Sequence, residues 1–137
     1  YGIQVDRVEL GNYRQTGGYE AMKRLLMTPP VPTAVLVANN LMTLGALQAI
    51  NESGRKIPDE IALVGFDDMP WAISLQPPLT VVAQPTYELG SIAVRLLLDR
   101  IQNPGEPIQQ VTLATQLIIR KSCGGIPSES SGGSGLN

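Results

Sequence analysis

The chain has 137 residues, of which 43% are hydrophobic and 16% charged, and its formal net charge is −2. This length fits one domain with its own core, and the absence of a basic run excludes an electrostatic footprint for nucleic acid or an anionic membrane in this stretch. The chain has no histidine and one cysteine, Cys123. It therefore cannot form Ser-His or Cys-His nucleophile pairs or most zinc sites. We expect that it is not an enzyme and that it binds no cofactor and no metal.

Hydrophobic periodicity predicts five strands and three helices. Short continuous apolar runs, such as residues 33–37, are typical of strands buried on both faces, and apolar side chains at three- and four-residue spacing predict helices. In chain order the elements are a strand at 3–10, a helix at 19–27, a strand at 33–37, a helix at 41–53, strands at 61–66 and 80–83, a helix at 88–101 and a strand at 111–119. This alternation predicts an α/β fold with a doubly wound parallel sheet.

Polar side chains follow the predicted strands at the point where each one ends. In open α/β sheets, ligands bind beyond the carboxyl ends of the strands. Amides and carboxylates there supply partners for hydroxyl groups, and an aromatic face packs against a sugar or a base. The residues at these ends, or just beyond them, are Asn12, Tyr13, Asn39, Asn40, Asp67, Asp68, Trp71 and Gln84. Together they predict a site for a neutral, hydroxyl-rich small molecule.

Each of these residues also has a structural interpretation. Asn39 or Asn40 could cap the helix that begins near residue 41. Tyr13 could be partly buried packing, and Trp71 could plug its loop against the sheet. Gln84, before a proline, could be a hinge residue bonded to the backbone.

The aspartate pair admits an enzymatic alternative as well. Strand-end aspartates build magnesium and phosphoryl-transfer sites, in which a cation normally offsets the phosphate charge. Lys23, Lys56 and Lys121 fall on a helix, a turn and the end of the last strand. No phosphate-pairing cation is therefore expected beside Asp67 and Asp68, and Asp68 is interpreted as a loop carboxylate.

Residues 3–121 strongly resemble the carboxy-terminal half of the effector-binding core in the lactose/galactose-repressor family of bacterial transcription regulators. The most specific segments are Val-Gly-Phe-Asp-Asp at 64–68, Pro-Pro-Leu-Thr at 77–80, and Gln-Pro at 84–85 followed by Glu-Leu-Gly at 88–90. The resemblance implies a two-lobed fold of the type I periplasmic-binding-protein kind. It implies that 1–83 and 111–121 form most of the carboxy-terminal lobe and that 84–110 form a hinge and a segment of the other lobe. Residues 122–137 are predicted to be a flexible Gly/Ser-rich tail.

The resemblance also assigns ligand contacts. It implies that Asn39 and Asp67 hydrogen-bond effector hydroxyls, that Tyr13 stands where the family often places an aromatic against a sugar, and that Gln84 lines the cleft. Trp71, beyond the third predicted strand, completes the predicted site. One departure is Asn40, where the family commonly has aspartate, and this weakens any charge-based role at that position.

A dimer interface is predicted on the helix at 41–53. Its apolar residues cover more than one stripe, which suggests a second buried face, and the resemblance implies that this face pairs with a second copy. The predicted interface residues are Leu44, Leu47 and Gln48.

The resemblance implies a cytoplasmic, homodimeric regulator that binds operator DNA and a small-molecule effector of the sugar class. The DNA-binding helix-turn-helix head and the first half of the core are expected before Tyr1, because this stretch lacks both, and no membrane association is expected. Effector binding would then bias lobe closure and the placement of two heads across the dimer. The alternative is a sugar-binding receptor of a transport system with the same fold.

Overall fold

The structure is a computed structural model that describes residues 2, 5 and 7–125. Helix α1 spans Gln15–Met27, α2 spans Asn40–Glu52 and α3 spans Thr86–Gln102. The strands are β1 at Ala34–Leu36, β2 at Ala62–Phe66, β3 at Thr80–Ala83 and β4 at Gln116–Ile118. Two 3₁₀ turns, at Ala72–Ser74 and Lys121–Cys123, flank β3 and β4 in sequence.

The four strands form one sheet in the order β1-β2-β3-β4. The first three are parallel, with Leu36 opposite Val64 and Phe66 opposite Val82. Strand β4 runs antiparallel to β3, so the sheet is mostly parallel and the predicted α/β class is confirmed. The antiparallel edge differs from the all-parallel prediction, because the chain comes back from α3 in the opposite direction.

Helices α1 and α2 pack closely against each other, and glycines permit the contact. A Cβ at Gly18 would lie 2.2 Å from the main-chain oxygen of Met42, so only glycine fits at this crossing. The other side of α2 faces the sheet, where Ala46 and Ile50 join a buried cluster with Leu63 and Val81. The apolar side chains of α2 are thus shared between α1 and the sheet.

The carboxy-terminal segment at residues 120–123, here called the latch, fastens β2 to β3. The hydroxyl of Ser122 donates to the main-chain oxygen of Leu63 at 2.6 Å and accepts from the main-chain N of Thr80 at 2.8 Å. Ser122 is buried. The Thr80 hydroxyl in turn accepts from the main-chain N of Arg120 at 2.8 Å. The latch therefore satisfies backbone groups that strand pairing leaves free.

Helix α3 lies apart from this core. None of its residues is buried within the described part of the chain, and Leu97 and Ile101 on its apolar stripe are 59% and 67% exposed. The helix at 88–101 exists as predicted, two residues longer at its start. Its assignment to another lobe remains a prediction.

Three predicted strands differ from the structure. The strand at 111–119 is formed only at Gln116–Ile118. Residues 7–10 of the predicted strand at 3–10 form no strand, because side chains of α1 and its flanks bind them: Arg24 pairs with Glu9 at 2.7 Å and donates to the Leu10 carbonyl at 3.2 Å. Residues 3, 4 and 6 lie outside the described residues. Strand β1 is not buried on both faces, since Leu36 is 63% exposed on an outer strand of the sheet.

Two further predictions concern the chain ends and the membrane. Most of the Gly/Ser-rich tail, residues 126–137, lies outside the described residues. Over the described range, no helix combines the length and apolar character that a bilayer crossing requires.

Candidate ligand-binding site

The site predicted at the strand ends is assembled by the parallel half of the sheet. Because β1, β2 and β3 run in the same direction, the residues that follow them meet at one edge. Asn39 follows β1, Asp67 follows β2 and Gln84 follows β3 directly. Tyr13 lies in the loop before α1, which reaches α2 through Gly11: a Cβ there would lie 2.5 Å from the Met42 sulfur.

Asp67 and Gln84 are joined side chain to side chain. The Gln84 Nε2 donates to Asp67 Oδ1 at 2.7 Å. The main-chain N of Asp67 also donates to the Val82 oxygen at 2.9 Å, so the residue is held to β3 twice. The side chain of Gln84 is therefore bound to a carboxylate. The hinge interpretation, in which this side chain is bonded to the backbone, was wrong.

Asp67 has a backbone φ of 71°, in the left-handed region that non-glycine residues rarely adopt. The turn sends the two neighbouring carboxylates to different partners. While Asp67 faces Gln84, Asp68 forms a two-point ion pair with Arg120, with Nη1–Oδ1 and Nη2–Oδ2 distances of 2.8 Å.

The expectation that no cation lies beside the aspartate pair was therefore wrong. The cation there is not one of the three lysines but Arg120, whose side chain is 15% exposed. The arginine is already paired with Asp68 and with the Leu79 carbonyl at 2.8 Å. These contacts use three of its five N–H donors, and Asp68 already offsets its charge, so the geometry still favours a structural ion pair over a phosphate site.

Asn39 and Asn40 have different roles at the start of α2. Asn39 is the N-cap of α2: its Oδ1 accepts from the Met42 main-chain N at 3.0 Å. Asn40 is the first helical residue, and its Nδ2 lies 3.5 Å from the sulfur of Met69 in the β2–β3 loop. The capping role considered for either residue thus belongs to Asn39, the one also assigned a ligand contact.

The two aromatic candidates have opposite surroundings. Tyr13 is 72% exposed and has a φ of 58°, so it is not partly buried packing. Trp71 is half-buried against the hydrophobic core, in agreement with the interpretation that it plugs the loop. Any contact of Trp71 with a ligand would involve only its exposed part.

In the side chains of Asn39, Asp67 and Gln84, three atoms have no hydrogen bond to another described residue: Asn39 Nδ2, Asp67 Oδ2 and Gln84 Oε1. They are open to solvent, since every buried side-chain polar atom of the described residues has a partner. One of them is a donor and two are acceptors. A group that both donates and accepts, such as a hydroxyl, satisfies this set, while an acceptor-only anion does not.

Among the predicted dimer residues on α2, Leu47 packs against the hydrophobic core. Leu44 and Leu47 are partly buried, and Gln48 is exposed and donates to Glu52 at 2.9 Å. Because α1 already covers one side of α2, its apolar excess does not by itself require a second chain. Leu47 and Gln48 also line a depression of about 660 Å³ between α2 and the Pro77 loop, away from the strand-end site.

Sequence reasoning missed Arg120 as part of this region. It follows β4 at a position level with the start of β3, and only the antiparallel return of β4 brings it near Asp68. A signal was present in the sequence, since the predicted strand at 111–119 ends in Arg-Lys. Without the strand direction, that signal could not be joined to the aspartates.

Comparison with known proteins identifies the family of this chain. Residues 1–123 match the family described as periplasmic binding protein-like domain. The HTH-type transcriptional repressor PurR of Histophilus somni is 38% identical over 120 residues, which is 88% of this chain and 36% of that protein.

Solved structures give the same result. The transcriptional regulator CelR–cellobiose complex has a TM-score of 0.81 and 38% identity, covering 88% of this chain and 38% of that one. A LacI family transcriptional regulator from Enterococcus faecium with bound ribose has a TM-score of 0.71 and 31% identity, covering 82% and 41%. The chain therefore belongs to the periplasmic binding protein-like domain family, as the carboxy-terminal part of the effector-binding core found in lactose/galactose-repressor-type transcription regulators.

Proposed function

We propose that this chain is the effector-sensing part of a DNA-binding transcription regulator and that it binds a neutral, hydroxyl-rich ligand at the strand-end edge. The observation that carries the proposal is the open set of Asn39 Nδ2, Asp67 Oδ2 and Gln84 Oε1. Adjacent hydroxyls of a sugar can donate to the two acceptors and accept from the amide. The cellobiose and ribose bound in two similar structures support a sugar.

The chain spans 36% of the first repressor it matches, so the whole protein's partners are part of the proposal. We infer a cytoplasmic homodimer whose interface includes Leu44, Leu47 and Gln48. Operator DNA is bound by a helix-turn-helix head that precedes this segment. The ligand acts by shifting the populations of two lobe arrangements and is not transformed, so the protein is not an enzyme.

A thermal-shift panel of sugars, nucleosides and purines on the full-length protein tests the proposal. A hydroxyl-rich compound should raise the melting temperature, since a ligand that binds only the native state stabilises it. The shift at a given ligand concentration should be smaller in Asp67→Ala, because its affinity is lower. Stabilisation by acceptor-only anions and by no hydroxyl compound would contradict the proposed ligand class.

The sequence upstream of this segment distinguishes the regulator from a transport receptor of the same fold. A helix-turn-helix there supports the regulator. A signal peptide there would mean a sugar receptor instead.

A further inference from the structure

The turn at Asp67 needs external support. A left-handed backbone is unfavourable for most non-glycine residues and persists where its surroundings favour it. On one side the Asp67 main-chain N donates to the Val82 oxygen, and within the turn the Met69 N donates to the Asp67 oxygen at 3.2 Å. Between these two bonds lies Asp68, whose side chain supplies the remaining contact of the turn.

The carboxylate of Asp68 is held by Arg120, which follows the edge strand β4. Both guanidinium nitrogens reach the carboxylate at 2.8 Å, and Nη1 also donates to the Leu79 carbonyl at 2.8 Å. Paired hydrogen bonds between two charged planar groups fix orientation as well as distance. The pair is 15% and 29% exposed, so solvent screens it less than a surface pair.

The main chain of Arg120 is itself held in place by hydrogen bonds. Its main-chain N donates to the Thr80 hydroxyl at 2.8 Å, and its main-chain oxygen accepts from the same hydroxyl at 3.0 Å. Ser122, two residues on, is bonded to β2 and β3. The guanidinium is therefore carried by a rigid part of the fold, and Asp68 is fixed relative to the sheet.

We propose that Arg120 is a positioning residue for ligand binding: through Asp68 it holds the turn that aims the Asp67 carboxylate at Gln84 and at the ligand. This inference rests on the proposed function, and it gives the Asp-Asp pair two separate roles. Asp67 contacts the ligand, and Asp68 transmits the anchoring of Arg120. The planar fork is essential, because a lysine at this position would keep the charge and lose the two-point contact.

Hydrogen exchange tests the positioning role without any ligand. In the full-length protein, Arg120→Met should raise exchange of the hydrogen-bonded amides of Asp67 and Met69 about tenfold, the change expected for about 1.4 kcal/mol of lost local stability. Amides within β2 should be unchanged. Asp68→Asn should reproduce the pattern and carries the same test if Arg120→Met fails to fold. The matched control is Arg24→Met, which removes the ion pair of Arg24 with Glu9 at 2.7 Å and leaves the pair at Asp68 intact, so exchange at Asp67 and Met69 should be unchanged.

Titration with cellobiose then tests the consequence for binding. Arg120→Met and Asp68→Ala should each weaken binding about three- to tenfold, and the double variant should lose no more than the worse single variant, since the two residues act as one unit. Additive losses, or an exchange increase spread equally over the sheet, would overturn the positioning role. If the parent protein does not bind cellobiose, this sugar is not its ligand, the titration is made with the compound that the thermal-shift panel identifies, and the exchange measurement decides the role of Arg120.

Discussion

Gly45 of α2 lies against the main chain of Gln15 in α1, so closely that a Cβ on Gly45 would stand 1.9 Å from the Gln15 carbonyl oxygen. Backbone meets backbone at this point, and no side chain can move aside to make room. The contact sets the separation of the two helices. It also places the loop with Tyr13 beside the start of α2, where Asn39 caps the helix.

Gly45→Ala should therefore destabilise the fold by about 1–3 kcal/mol, the usual cost of overpacking a close contact. The matched control is Gly90→Ala in the middle of α3, where an added Cβ would meet nothing within 4 Å. That change should stabilise the helix by roughly 0.8–1 kcal/mol, because alanine is the better helix former. Urea titrations followed by circular dichroism measure both, and equal effects of the two substitutions would contradict the close crossing.

The two aspartates should differ in their effect on binding. Asp67→Ala should weaken effector binding about ten- to a few-hundredfold, since a charge-assisted hydrogen bond contributes roughly 1.5–3 kcal/mol. Asp68→Ala should weaken it less than tenfold, because that carboxylate faces Arg120. Calorimetric titration of the full-length variants compares them. A larger loss at Asp68 would mean that the ligand contact is assigned to the wrong residue.

Leu44→Asp tests the proposed dimer. Leu44 is partly buried on α2, and a carboxylate buried there by a second chain would be left without a partner. The full-length variant should sediment as a monomer at low micromolar concentration while keeping its ligand affinity and helical content. A variant that remains dimeric would remove Leu44 from the interface.

The Tyr19–Glu52 contact between α1 and α2 should make stability depend on pH at both extremes. The Tyr19 hydroxyl donates to Glu52 Oε2 at 2.5 Å. This hydrogen bond is the main cause that raises the pKa of Tyr19 above its ordinary 10.0, and with the bond from Gln48 it lowers the pKa of Glu52 below its ordinary 4.5.

Because the pKa of Tyr19 is raised by folding, the contact stabilises the fold fully when the pH is below the pKa of tyrosine in the unfolded state. This stabilisation is lost as the pH rises through the pKa of Tyr19 in the folded state. Because the pKa of Glu52 is lowered by folding, its contribution is present when the pH is above the pKa of glutamate in the unfolded state, and it is lost as the pH falls through the pKa of Glu52 in the folded state. The stability difference between the parent and Tyr19→Phe should thus be constant from about pH 6 to 9 and shrink outside that range. A difference that grows toward high pH would contradict the hydrogen bond.

Much of the fold could be predicted from the sequence because its central elements are locally consistent. The strand at 80–83 was predicted with its observed bounds, and the strand at 61–66 and the helix at 41–53 are each within one residue of β2 and α2. Apolar runs and helical spacing carry this information. The prediction of a strand was wrong for the described residues 7–10, because alternation cannot show whether a strand has a neighbour to pair with.

The candidate site was predicted only as a set of strand ends. Parallel strands bring Asn39, Asp67 and Gln84 to one edge, and this follows from the order of elements. The bond between Asp67 and Gln84, the N-cap role of Asn39 and the pairing of Asp68 with Arg120 depend on turn geometry and on the direction of β4. No local pattern encodes those features.

The latch has a consequence for synthesis of the chain on the ribosome. Ser122 bonds to Leu63, 59 residues earlier, and to Thr80, 42 residues earlier. The sheet therefore cannot satisfy its buried backbone groups until the last described residues have emerged, and contacts of such long range form late. A product released before residue 120 would carry β2 and β3 with unpaired groups and an exposed core, which is the kind of surface that chaperones and proteases recognise. Synthesis past the latch is in effect a quality check on the ligand site, because the same few residues that complete the sheet also hold the turn at Asp67.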